Sequence, residues 1–229
     1  MGKSGAGPKS AGRRNNARTG KAGGGEKAGG GEKARDFEGD RKQADAFLDA
    51  KMGATHAHLN DKQRSMVQMY SQDAYRPINN GLIDRGNGKK MGKDERIAAA
   101  RIQKAIRATN PLPESIIVYR GLSKTFQDHG LNPAKLAGKT LYSEAFMSTS
   151  LNYRISRGFS GNDHNGILFR INVPKGTRGI GITGQRESEL VLSKRAGLDV
   201  RSVHQDKETG LWHAEADYVP PRRRTGARS

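Results

Sequence analysis

The run IIVYRGL, from Ile116 to Leu122, decides how this chain is read. It is β-branched and aromatic, it follows the proline-punctuated PLPES, and it ends in Arg-Gly. It therefore reads as a buried strand running out to the rim of a sheet. The hydrophobic period differs on its two sides. Upstream, DFEGDRKQADAFLDAKM (36–52) and LNDKQRSMVQMYSQDAYRPINNGLI (59–83) carry apolar residues at helical spacing, in the second case Met66, Val67, Met69, Tyr70, Tyr75 and Ile78. Asn60 or Asp61 stands where an N-cap is needed. GNGKKMG (86–92) reads as a loop, and KDERIAAARIQKAIRAT (93–109) as a helix stopped at Asn110-Pro111. Downstream, KTLYSEAFMSTS, GILFRINVP, RGIGITG, SELVLSKRAGLDVRSV and GLWHAEADYV read as strands divided by Gly, Pro and Asn turns. Helices first and a mixed or antiparallel sheet second predict an α+β domain.

The chain has 229 residues, enough for one sizeable domain, yet only 33% are hydrophobic, so part of it is expected outside any core. Residues 1–34 contain no large apolar residue after Met1 and repeat KAGGGE, which predicts a disordered basic tail. The domain is expected over 35–219, helical to 112 and β-rich from 113, with PPRRRTGARS (220–229) as a second basic tail. Net charge is +18, of which the first 34 residues hold +6 and the last ten +4, leaving the body at +8. Such a balance favours nucleic acid, ribosomes or acidic proteins as neighbours, although a solubilising role explains the tails equally well.

Several classes are excluded. The chain has no cysteine, hence no disulfide and no thiolate metal site. No stretch has the length and apolarity of a membrane span or a secretory signal, so no membrane partner is expected. His56 and His58 lack the acidic or cysteine partners of a zinc site, and no metal is expected. GKSGAGPKS has the wrong order for a phosphate loop and no strand before it.

Three short pieces carry chemistry: Arg120 at the end of IIVYR, Ser148-Thr149-Ser150, and Glu187-Ser188-Glu189 within GQRESELVL. In this order they resemble the Arg, Ser-Thr-Ser, Glu-x-Glu signature of mono-ADP-ribosyltransferases, in particular the clostridial-type toxins and their relatives. The resemblance covers roughly residues 55–219. It extends to Tyr70, Tyr75, Ile78 and Asn79 in the helical part, to Phe159 after the Ser-Thr-Ser, and to VPKGTRG before the paired acids. It implies a helical N-terminal lobe packed on a mixed or antiparallel β-sandwich, with a central cleft for NAD.

The residue types suit that chemistry. Arginine offers phosphate oxygens a planar, permanently charged fork, which is the role the resemblance gives Arg120, with Gly121 beside it. By the same resemblance Ser148 orients the catalytic Glu189, Thr149 and Ser150 support the strands of the cleft, and Phe159 packs on the nicotinamide. Read alone, Phe159 is equally an ordinary core aromatic. Tyr70, Tyr75 and Asn79 divide in the same way between core positions and a cap over the adenosine or phosphates.

In a strand, residues two apart face the same side, so Glu187 and Glu189 are expected together, with coupled titrations. Cleavage of the nicotinamide–ribose bond develops oxocarbenium-like charge, which a fixed carboxylate stabilises. That part falls to Glu189, while Glu187 activates the acceptor. Glutamate at the first position accompanies arginine acceptors in the family. Gly184 stands where several relatives carry an aromatic, and Asn162 where they carry an arginine that Arg154 or Arg157 could replace.

The expected protein is thus a monomeric transferase moving ADP-ribose from NAD to an arginine of a host protein, with nicotinamide released. Candidate targets are a ribosome or RNA polymerase, with nucleic acid as a further partner of the basic tails. A bacterial toxin or phage enzyme is implied, delivered by a virion or a specialised secretion system and acting in the cytoplasm of a target cell. The rival readings are ADP-ribosylation of RNA or DNA, NAD hydrolysis with water as the acceptor, and a non-enzymatic nucleic-acid-binding module on the same fold.

Overall fold

Asn60 opens the helical half: its side chain accepts from the Gln63 N–H while the Gln63 side chain accepts from the Asn60 N–H, a complete capping box. In this computed structural model the described residues are 33–50, 59–123, 131–161, 166–183 and 188–222. Most of both basic tails, and His56, His58, Asn162, Gly184 and Glu187, lie outside them. The helices are α1 (Arg41–Leu48), α2 (Asp61–Met69), α3 (Tyr75–Gly86), α4 (Lys93–Ala108) and, after the first strands, α5 (Tyr153–Phe159). Asp94 and Glu95 in its first turn and Arg107 in its last suit the dipole of α4, whose Ala98, Ile102, Ala105 and Ile106 form the buried stripe.

The predicted helix through Tyr70 and Tyr75 is interrupted by a π turn, Tyr70–Ala74. On a regular helix, residues nine apart stand about 2.5 turns apart and face opposite sides. The π turn changes that register, and the Asn79 amide donates to the Tyr70 hydroxyl at 3.1 Å.

The strands are β1 (Ile116–Leu122), β2 (Thr140–Tyr142), β3 (Met147–Ser150), β4 (Ile167–Val173), β5 (Gly179–Ile182), β6 (Glu189–Leu192), β7 (Gly197–Gln205) and β8 (Trp212–Val219). They form one mixed sheet in the order β2-β7-β8-β4-β1-β3-β6-β5, antiparallel except for β4 with β8. Seven register pairs join β1 to β4, but β1 and β3 share only Tyr119 with Ser150. The sheet creases at that pair, and its two parts pack over one core in which Val118, Ile167, Phe169, Ala214 and Ala216 meet Met147, Leu190 and Leu192. The other face of the short part carries Phe146, Ile180 and Val191, against which α2, the π turn, α3 and α4 bury Val67, Tyr70, Leu82 and Ile102. Outside the long part, Asp36 accepts from the Tyr119 hydroxyl (2.8 Å) and from Arg170 (2.8 Å), tying the chain ahead of α1 to β1 and β4.

Candidate active site

The crease opens into a cavity of about 580 Å³. Arg120 reaches it because β1 alternates: Val118 lies in the core, and two residues on the same side of the strand meets the crease. Its guanidinium donates to the Ser148 carbonyl at 2.6 Å, bridging β1 to β3 one residue pair beyond the last ladder contact. Burial pulls Arg120 below the ordinary arginine value while the Tyr70 phenol and the Glu189 carboxylate pull it back. It stays protonated at any working pH.

Glu189 is the first residue of β6, opposite Ser150 on β3 and Ile182 on β5, and is buried. Side chains opposite one another share a face, so Glu189, Ser150 and Ser148 all look toward the helical lobe. Thr149 points the other way, into the sandwich core, and its hydroxyl donates to the Leu190 carbonyl at 2.7 Å. From the helical side, Tyr70 hydrogen-bonds Ser148 and Asn79, and its burial pushes the phenol up in pKa. The Asn79 carbonyl oxygen accepts from the Phe146 N–H at 3.2 Å, and Tyr70 meets Phe146 edge-on at 5.8 Å. These contacts hold the helical wall against β3.

The third wall is α5. A Cβ on Gly121 would lie 1.9 Å from the Ser156 carbonyl oxygen, so only glycine lets the helix backbone lie this close to β1. Ser156 in turn donates to the Tyr119 carbonyl at 2.9 Å. The helix ends in Phe159, which lines the cavity and is 56% exposed, unlike a core aromatic. Arg154 and Arg157 are exposed on the same helix and do not line the cavity.

Arg120, Gly121, Ser148, Thr149, Ser150, Phe159, Tyr70, Tyr75, Asn79 and Glu189 all line this one cavity. Glu187 lies outside the described residues. A pyrophosphate-bearing dinucleotide fits such a lining: one cation, one buried carboxylate and an open aromatic ring. Among the described residues no group of three or more His, Asp or Glu side chains is placed to hold a metal. No helix among them is long and apolar enough to cross a membrane.

Two residues near the site were not legible in the sequence. Ser188 is buried with φ +41°, left-handed backbone that a residue with a Cβ rarely adopts, immediately before Glu189. Its hydroxyl donates to Asp45 on α1 at 2.6 Å, and Arg41 holds Asp45 from the other side at 3.3 Å. One turn further along, Asp49 accepts from the Thr183 hydroxyl at 2.7 Å. The flanks of segment 184–187 are thus fastened to α1 and to its C-cap residue, over separations of 143 and 134 residues.

Comparison with known proteins agrees with this geometry. The sequence matches the family ADP-ribosyltransferase exoenzyme over residues 44–216. No curated protein sequence matches it. Among solved structures, the fold is similar to Plx2a, an ADP-ribosyltransferase toxin from Paenibacillus larvae, with TM-score 0.67, 22% identity, and 81% of this chain and 99% of that one covered. It is similar to the Clostridium limosum C3 exoenzyme, with TM-score 0.70, 19% identity and coverage of 82% and 98%. It is also similar to Vis, the Vibrio splendidus ADP-ribosyltransferase, solved in complex with agmatine, with TM-score 0.61, 20% identity and coverage of 82% and 88%. The chain belongs to the ADP-ribosyltransferase exoenzyme family, transferases that take ADP-ribose from NAD.

Proposed function

We propose that this enzyme transfers ADP-ribose to the guanidinium of an arginine on a host protein. The reading rests on one observation above others, the meeting of a half-buried guanidinium, a buried carboxylate and an exposed aromatic ring around a single cavity. In this account Arg120 neutralises the pyrophosphate, and Phe159 packs on the nicotinamide ring. Glu189 faces the ribose as the glycosidic bond breaks. A carboxylate fixed before reaction stabilises the positive charge arriving on the ribose more than it stabilises the ground state, in which that charge sits on the nicotinamide ring. Ser148, tied to Tyr70, keeps Glu189 in place.

Arginine as the acceptor is supported by Glu187 two residues ahead of Glu189, and by the relative solved with agmatine, an amine that carries a guanidinium. A guanidinium is a poor nucleophile until a base takes its proton, and Glu187 is that base. The active protein is a toxin or phage-borne effector working inside a target cell.

Two substitutions test the assignment, with labelled NAD, agmatine and a cell lysate as acceptors. Glu189→Ala should lower nicotinamide release about a thousandfold. Glu187→Gln should keep most NAD hydrolysis while losing transfer to agmatine. Label removed from the lysate by protease supports a protein acceptor, and label removed only by nuclease refutes it. Equal loss of hydrolysis and transfer in the Glu187 variant would remove the base from that residue.

A further inference from the structure

At the end of the sheet away from the NAD cavity lies a second, larger cleft of about 930 Å³. The β1–β4 ladder runs from one end to the other, seven residues or about 20 Å, and the two cavities share no lining residue. Four separate stretches of chain deliver cations to it: Arg107 from the last turn of α4, Lys175 and Arg178 from the β4–β5 connection, Lys194 and Arg195 from the β6–β7 turn, and Arg222 after β8. No carboxylate among the described residues lines it.

Little of the charge is spent internally: of the six cations only Arg195 pairs with a carboxylate, Glu144, among the described residues. Among the described residues, Arg107, Lys175, Arg178, Lys194 and Arg222 form no ion pair. The Nε of Arg195 is buried without a hydrogen bond, its carboxylate neighbour Glu144 standing 3.6 Å away. Arg178 donates only to the Thr109 carbonyl. Burial, and then the charges of Arg85, Arg107 and Arg195, hold Lys194 below the ordinary lysine value, and the Glu144 carboxylate only partly offsets them.

The cleft also has an apolar side. Ile106, Tyr218, Pro220 and Pro221 also line it, and the Arg222 guanidinium carbon stands 3.5 Å from the centre of the Tyr142 ring. Four of the six cations are guanidinium forks, which grip phosphate through paired hydrogen bonds and stack on flat rings. A nucleotide chain supplies both complements, a phosphate per residue and a flat base face. Inorganic phosphate or an acidic peptide supplies only charge, and a flat bilayer cannot reach the floor of a concave cleft.

We propose that this cleft binds the phosphodiester backbone of a single-stranded nucleic acid, as a docking site separate from the transfer chemistry. The proposal does not depend on which acceptor the NAD site serves.

The test uses the full chain and fluorescein-labelled 20-nucleotide RNA and DNA of mixed sequence, read by anisotropy across a salt series. R107E/K175E/R222E, all at exposed positions, is compared with K62E/K135E/K207E, an equal charge change at exposed positions outside the cleft. Losing three phosphate contacts should flatten the slope of log K against log salt by about 2 and weaken binding about 50-fold near physiological salt. The control should stay within about threefold of wild type, and nicotinamide release from NAD should be unchanged in both. If the charge-reversed cleft loses nicotinamide release as well, R107Q/K175Q/R222Q replaces it under the same criteria. Equal weakening in cleft and control variants overturns the proposal, since it assigns binding to overall charge. Failure of the wild-type chain to bind oligonucleotide overturns it too. So does a cleft variant that keeps oligonucleotide binding but loses binding to phosphatidylserine vesicles or polyglutamate.

Discussion

Strand β1 treats its two neighbours differently. Along β4 it pairs at seven positions, and the resulting face is further tied down by Asp36, Tyr119 and Arg170. Along β3 it pairs once, then parts. A parted sheet leaves backbone groups without ladder partners, and in a buried setting such groups must be satisfied some other way. Here the Arg120 guanidinium meets the Ser148 carbonyl, so a side chain does on this flank what a backbone amide does on the other. The cavity therefore lies where regular pairing stops, and the Arg120 side chain bridges the gap there.

Replacing the bridging fork breaks this contrast most directly. Arg120→Lys keeps the charge but not the planar pair of donors. Losing one charge-assisted hydrogen bond should cost about 10- to 100-fold in kcat/KM for NAD, chiefly through KM. An unchanged KM would mean that charge alone, and not the fork, spans the crease.

A subtler break acts through α1. Asp45→Ala removes the acceptor that holds Ser188 in its left-handed conformation, and Glu189 follows directly in the chain. About a tenfold drop in kcat is expected with KM for NAD nearly constant, since the carboxylate is displaced and the cleft is not. Ser188→Gly sharpens the result: glycine tolerates φ +41° without help, so it should lose less activity than Asp45→Ala. Equal damage from both would assign the effect to the hydroxyl itself.

The smallest effect belongs to the well-paired flank. Burial pushes the Asp36 carboxyl up, but the Glu38 N–H, the Arg170 guanidinium and the Tyr119 hydroxyl outweigh it, and its pKa falls below the ordinary aspartate value. A group lowered on folding stabilises above its unfolded pKa of about 3.9, and that stability fades as pH falls through the lower folded value. Asp36→Asn should therefore cost about 1 kcal/mol at neutral pH, with activity retained, because Arg170 is partly screened by solvent. The gap in Tm between the two proteins should close below about pH 3. A gap independent of pH would mean that packing, not charge, anchors this segment.

What could be read from the sequence follows the range of each interaction. The switch of period at Ile116, the Asn60 cap and the run of β-strands are local signals, and the α+β architecture emerged from them. The residues of the cavity were legible through the family resemblance that their short motifs carry. The crease was not, because its single β1–β3 pair depends on where strands far apart in the chain meet. The π turn left no mark, since Tyr70 to Ala74 fit an α-helix equally well by composition. Asp45 reads as one more polar residue on an amphipathic helix until the fold brings Ser188 against it. The basic cleft is likewise invisible in a chain whose lysines and arginines are spread over its length, because the fold alone gathers six of them.

Gly121 leaves a last consequence. With the backbone of α5 resting directly on β1, the wall that carries Phe159 can change its ornament but not its position. Anyone wishing to admit a bulkier dinucleotide analogue should whittle the ring at Phe159 and leave the helix where it lies.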